Sequence, residues 1–195
     1  MKTGRMEAFS DGVIAILITI MVLELKVPHG TDLQALRPVL PVLLSYILSF
    51  AYLGIYWNNH HHTLQITGRV NGAVLWANLH LLFWLSLIPF TTAWLGESWL
   101  EENRLASAPT ALYGVVLLCS GLAYTILQSA IIRGEGCESE LRAAVGRDLR
   151  GKVSIAGYAL GVGAAFLMPL VSIAMYIGIA ILWLLPDRRI ESRVR

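Results

Sequence analysis

Three consecutive histidines, His60, His61 and His62, with His80 further along, are the side chains whose type most readily holds a metal ion. Zinc and copper bind imidazole nitrogen, but they need several ligands converging on one point. Consecutive helical residues project about 100° apart, so the triplet spreads round its helix instead of closing on one ion. His62 and His80 would have to approach across two helices. No metal is assigned, and the histidines are read as interfacial groups bonded to neighbours or water. Cys119 and Cys137 have neither metal-ligand spacing nor a disulfide framework. No nucleophile–base pair and no HExxH-type spacing lies in an apolar stretch, which argues against a membrane enzyme.

The other chemically capable residues are charges beside apolar runs. Asp11 and Glu24 flank an uncharged stretch, Gly12 to Leu23, of only 12 residues. As a helix that is roughly 18 Å, well short of a bilayer core of roughly 30 Å. Either the other helices or water surround this segment, or it is a tilted span in a locally thinned bilayer. The cost of charge in hydrocarbon favours the first arrangement. One face carries Ile16, Thr19, Ile20 and Leu23 at i, i+3, i+4 and i+7. On spacing alone that stripe is an ordinary packing surface, and the Thr19 hydroxyl reaches the Ala15 carbonyl one turn earlier.

The elements that must position these residues are membrane helices. Apolar residues make up 56% of the chain and charged residues 14%, against roughly 45–50% and 25% in soluble domains. The charges gather in short stretches between long uncharged runs. Pro38–Asn59, Val70–Gly96 and Leu105–Ile132 each suit one span. Val153–Pro186, with 34 residues, would be roughly 51 Å as one helix, and Met168-Pro169 divides it in two. The expectation is an all-α polytopic membrane protein, a single domain over 1–195. Its six spans lie near 5–26, 38–59, 71–95, 106–132, 152–167 and 169–185.

Six spans leave Lys26, Arg37 and Arg104 in outer loops and the other 12 of the 15 basic residues inside. That split matches the positive-inside rule and puts both termini in the cytoplasm of a cell membrane. Five spans would place the arginines of the tail outside. Arg5, Glu7 and Asp11 ahead of the apolar stretch, with no small-residue cleavage site after it, do not fit a removable signal peptide. The polar segment Gly134–Gly151 reads as a cytoplasmic loop with a helical turn or two. A net charge of +2, with no basic run interleaved with aromatics, gives no reason to expect a nucleic-acid partner.

Arg5-Met6-Glu7-Ala8-Phe9-Ser10-Asp11 spells R-x-x-x-F-S-D and is followed by Gly12-Val13-Ile14-Ala15-Ile16. This resembles the signature of the endolysosomal potassium channel family and its bacterial relatives. Tyr56-Trp57-Asn58-Asn59-His60-His61, Leu85-Ser86-Leu87-Ile88-Pro89-Phe90-Thr91-Thr92 and Leu182-Trp183-Leu184-Leu185-Pro186 also resemble bacterial members. The resemblance implies six helices per chain and a homotetramer in lipid, with four copies of the first helix lining the pore. Bulky apolar side chains narrow that pore in place of a backbone-carbonyl filter. The permeant ion is a monovalent cation, potassium or potassium by preference, and no cofactor is expected. Counted from the motif, Ile16 is the first constriction and gate, and Ile20 and Leu23 continue its face. Thr19 falls at a hydroxyl ring tied to potassium preference.

The motif residues Arg5, Phe9, Ser10 and Asp11 are then a structural network. Arg5 and Asp11 are six apart and share no helical face, so each is expected to bond groups on neighbouring helices. Trp76 and Asn78 on the third helix are the named partners, Phe9 packs between helices, and Leu17 faces lipid. The competing function is a secondary transporter or metal permease using the histidines and Asp11. Against it stand the lack of two related halves and of a charged pair at mid-membrane.

Overall fold

The computed structural model describes residues 3–68, 70–102, 104–136, 139–146 and 148–184. Lys2, Arg69, Cys137, Arg147 and everything from Leu185 on, including Pro186 and the tail arginines, lie outside the described residues.

Among the described residues every element is helical: α1 (Thr3–Val22), a 3-10 segment (Leu33–Val39), α2 (Leu40–Gln65), α3 (Gly72–Ser86), α4 (Ile88–Glu102), α5 (Ser107–Glu135), α6 (Glu140–Val145), α7 (Leu149–Ala164) and α8 (Pro169–Leu184). Among these residues, three stretches are long and apolar enough to cross a membrane: Leu33–Gln65, Gly72–Glu101 and Ser107–Glu135; the apolar helix Pro169–Leu184 is shorter.

Local chemistry sets the breaks. Pro41 stands in the first turn of α2, where its missing N–H has no partner to lose. The helix runs to Gln65, so the histidine triplet lies within it and not beyond an end near residue 59. Asn71 caps α3 by accepting from the Val74 amide at 3.0 Å. The stretch read as one span over 71–95 is broken at Leu87, because Pro89 has no N–H for the Leu85 carbonyl. Asp148, at φ 40°, caps α7 through the Gly151 amide at 3.0 Å.

The core gathers around α5, which packs against α3, α4, α7 and α8. Contact is close at glycines. A Cβ on Gly161 would strike the Tyr176 ring, one on Gly157 would strike Ile179, and one on Gly114 would overlap the Tyr176 hydroxyl. Several buried hydroxyls find partners: Ser49 bonds Thr92 at 2.6 Å and Tyr113 at 2.9 Å, and Tyr52 donates to the Tyr176 carbonyl at 2.6 Å.

Helix α1 packs on α2, α3 and α4 through Met6, Ser10, Ile14, Leu17 and Met21. That corrects the expected direction of Leu17. At 7% exposure it faces the other helices, not lipid. Leu17 is three residues from both Ile14 and Ile20, and the buried stripe runs Ile14, Leu17, Met21, which rotates it into the bundle.

Candidate functional site

The opposite side of α1 is open. Phe9 is 55% exposed, Ile16 57%, Ile20 44% and Leu23 78%. The stripe Ile16, Thr19, Ile20, Leu23 therefore forms one uncovered apolar face carrying a single hydroxyl, with Leu23 just past the helix end. The Thr19 hydroxyl donates to the Ile16 carbonyl at 2.9 Å, three residues back and not four as the Ala15 expectation had it. Its proton is committed to the backbone, and its oxygen keeps lone pairs free to accept.

The N-terminal half of α1 is held by three sets of polar contacts. Trp57 Nε1–H donates to Asp11 Oδ1 at 3.0 Å. One turn away, His61 Nδ1 meets Glu7 Oε1 at 2.7 Å. Glu7 and Asp11 are four apart on α1, and Trp57 and His61 four apart on α2, so each pair shares a helical face. The pairs run in opposite chain directions, which makes a two-rung ladder between antiparallel helices.

The third set is a buried relay. Ser10 Oγ–H donates to the Met6 carbonyl at 2.9 Å, so Ser10 Oγ accepts from Asn78 Nδ2 at 3.0 Å. Asn78 Oδ1 is then left to accept from His60 Nε2–H at 2.7 Å. The directions are forced from the serine outwards and fix the His60 tautomer. Ser10, Asn78 and His60 are 0%, 2% and 1% exposed. With the ring proton on Nε2, His60 Nδ1 is a buried lone pair with no hydrogen-bond partner among the described residues.

The expected network residues divide. Ser10, Asp11 and Asn78 come together with groups on other helices. Trp76 does not join them. It stands 74% exposed, because it lies two residues from Asn78 and so projects to another side of α3. The indole bonded to Asp11 comes from α2 instead. Arg5 and Phe9 lie on the open face of α1, and within the described chain Phe9 does not pack between helices. Glu7, Trp57, His60 and His61 were not singled out from sequence for this cluster. The signal available was the matched four-residue spacing of Glu7/Asp11 and Trp57/His61. His80 is engaged on its own helix, accepting from Trp84 Nε1–H at 3.0 Å. At the far end of α1, Lys26 and Glu97 stand 4.0 Å apart, both largely exposed.

Residues 5–89 match the family model described as endosomal/lysosomal potassium channel TMEM175. That span contains every residue of the cluster. A potassium channel of Chryseobacterium sp. strain P1-3 is 52% identical over 195 residues, covering 100% of this chain and 99% of that one. A potassium channel of Streptomyces collinus is 35% identical over 182 residues, covering 90% and 88%. The fold is similar to the crystal structure of a lysosomal potassium-selective channel TMEM175 homologue from Chamaesiphon minutus, with a TM-score of 0.77 and 28% identity, over 94% of this chain and 96% of that one.

Proposed function

The chain belongs to the TMEM175 channel family, and on that premise we propose that it is a membrane potassium channel in which four copies surround a pore lined by α1. The observation that carries this reading is the open face of α1. Ile16, Ile20 and Leu23 are exposed on a helix whose uncharged stretch is too short to lie against lipid. Four copies around one axis would turn those side chains inward as stacked apolar rings. Such rings hold back ions by dewetting without a solid plug.

Thr19 supplies the polar ring between them. Its hydroxyl proton is engaged by the Ile16 carbonyl, so four oxygens would present lone pairs toward the axis. They would replace part of an ion's hydration shell, at less cost for potassium than for sodium. The buried relay and the ladder fix how each α1 is rotated about its own axis. Six spans per chain with both termini cytoplasmic complete the arrangement, and the exposed Glu24 would raise cation concentration at the outer mouth.

Native mass spectrometry of the protein in detergent tests the assembly. The expected species has four times the 21.5 kDa chain mass. Monomers or two-fold dimers as the only species would contradict it, because a single α1 encloses nothing.

A further inference from the structure

Glu7 and His61 meet at 2.7 Å with their side chains only 24% and 34% exposed. Both ring nitrogens and one face of the imidazole have partners. Gln65 Nε2 reaches His61 Nε2 at 2.8 Å, and the Trp57 indole stacks on the ring with centroids 6.0 Å apart and planes 18° from parallel. Because the Gln65 amide nitrogen is a donor, His61 Nε2 is the acceptor there. The ring proton therefore sits on Nδ1 and is donated to Glu7.

We propose that Glu7 and His61 are positioning residues that clamp the N-terminal end of the pore helix to α2, with a strength set by a second proton on the imidazole. The proposal rests on the reading of α1 as the pore helix. A second proton on Nε2 would face the Gln65 NH₂, donor against donor. The amide must then turn to present its oxygen. The same proton puts charge on both partners of the Glu7 contact, making it an ion pair, and sets a cation against the Trp57 face. Acid thus tightens the rung and moves Gln65, whereas alkali leaves a hydrogen bond from an uncharged imidazole to the carboxylate. Trp57 carries the change to the next rung, since its Nε1–H is the one bonded to Asp11.

Imidazole is the side-chain type that ordinarily changes charge between about pH 5 and 8. The charged and titratable groups around His61 are Glu7 and Asp11 from α1, and His60 and His62 from α2, with the His62 ring centroid 5.6 Å away. Asn78 is the α3 group bonded into this end, and it does not titrate. From α5, Glu135 reaches the backbone of Gly68 just past α2.

The test is potassium flux from liposomes holding the full chain, with both faces at the same pH between about 5.5 and 8. Wild-type flux is expected to change by about fivefold or more across that range, the scale of ordinary coupling between two sites. Glu7→Gln keeps an acceptor oxygen but no charge. His61→Gln keeps a donor but does not titrate. Each is expected to flatten the profile to less than about twofold, while His62→Gln keeps the wild-type profile. A flat wild-type profile overturns the clamp, as does a profile that survives both substitutions. Ile16→Asn in the same liposomes separates the two readings. If it raises flux while Glu7→Gln leaves the pH profile intact, the pore stands and the clamp falls. If it does nothing while both clamp variants flatten the profile, the pore assignment fails, and Glu7 and His61 then act on flux by a route other than a pore helix, which overturns the clamp as proposed.

Discussion

Replacing Ile16 with asparagine is expected to raise basal potassium flux by about tenfold, equivalent to about 1.4 kcal/mol off the barrier at the gate. Ile16 is 57% exposed in the single chain, and in the proposed tetramer four copies of its side chain would meet at one axis. Four isoleucines there would present only hydrocarbon, and an ion crossing them would lose hydration with nothing in exchange. Four asparagines of slightly smaller volume would bind water and keep the constriction wet. The gain in flux should come with weaker discrimination between potassium and sodium, because a hydrated ion no longer sheds as much water. Leu170→Asn is the matched control. Leu170 is 72% exposed on α8, whereas α1 packs mainly on α2, α3 and α4, and the change there should leave flux unaltered. Liposome flux under potassium and sodium gradients reads both effects. Unchanged flux in Ile16→Asn, or increased flux in Leu170→Asn, would place the constriction elsewhere.

Asn78→Leu should destabilise the folded chain more than any other single change in the N-terminal cluster, by about 2–5 kcal/mol. Asn78 both receives from His60 and donates to Ser10, and all three side chains are buried. Leucine keeps the branched outline with bulkier methyl groups, so no cavity opens and some crowding adds to the loss of the two bonds. It leaves His60 Nε2–H without an acceptor and Ser10 Oγ without its donor, at about 1–3 kcal/mol each. Asp11→Asn gives the contrast. It retains Oδ1 for the Trp57 indole and lies nearer solvent, so its cost should stay below about 1 kcal/mol. Thermal unfolding in detergent, followed by size exclusion or intrinsic fluorescence, ranks the two variants. Equal stability of Asn78→Leu and wild type would mean that the relay does not hold α1.

The shared face on α1 is legible in the sequence because it rests on periodicity. Ile16, Thr19, Ile20 and Leu23 share a face by spacing alone, and the structure leaves that face uncovered. Periodicity does not say which face is which on a helix that is apolar nearly all round. That is why Leu17, read as lipid-facing, lies against the bundle. The partners of a polar group on another helix are less legible still, since they depend on how two helices are rotated against each other. Ser10, Asp11 and Asn78 were identifiable as network members. The choice of Trp57 over Trp76 was not, because α2 and α3 both present an indole near this end of α1 and only packing decides between them. Sequence alone gives the histidines only as interfacial groups bonded to neighbours or water. Their roles come from direction: His60 and His61 are about 100° apart on α2, so one turns to Asn78 and the other to Glu7.

The most direct test of an α1-lined pore is accessibility from the conduction path. Ile20→Cys and Leu170→Cys would each be placed in a background where Cys119 and Cys137 are serine, then treated with a thiol-reactive organic cation during potassium flux. Modification at position 20 is predicted to cut flux by about tenfold, because a bulky cation then stands in a ring of four. The same modification at position 170 is predicted to leave flux unchanged. Full labelling of Ile20→Cys with no loss of flux, or block by labelling Leu170→Cys, would contradict a pore lined by α1.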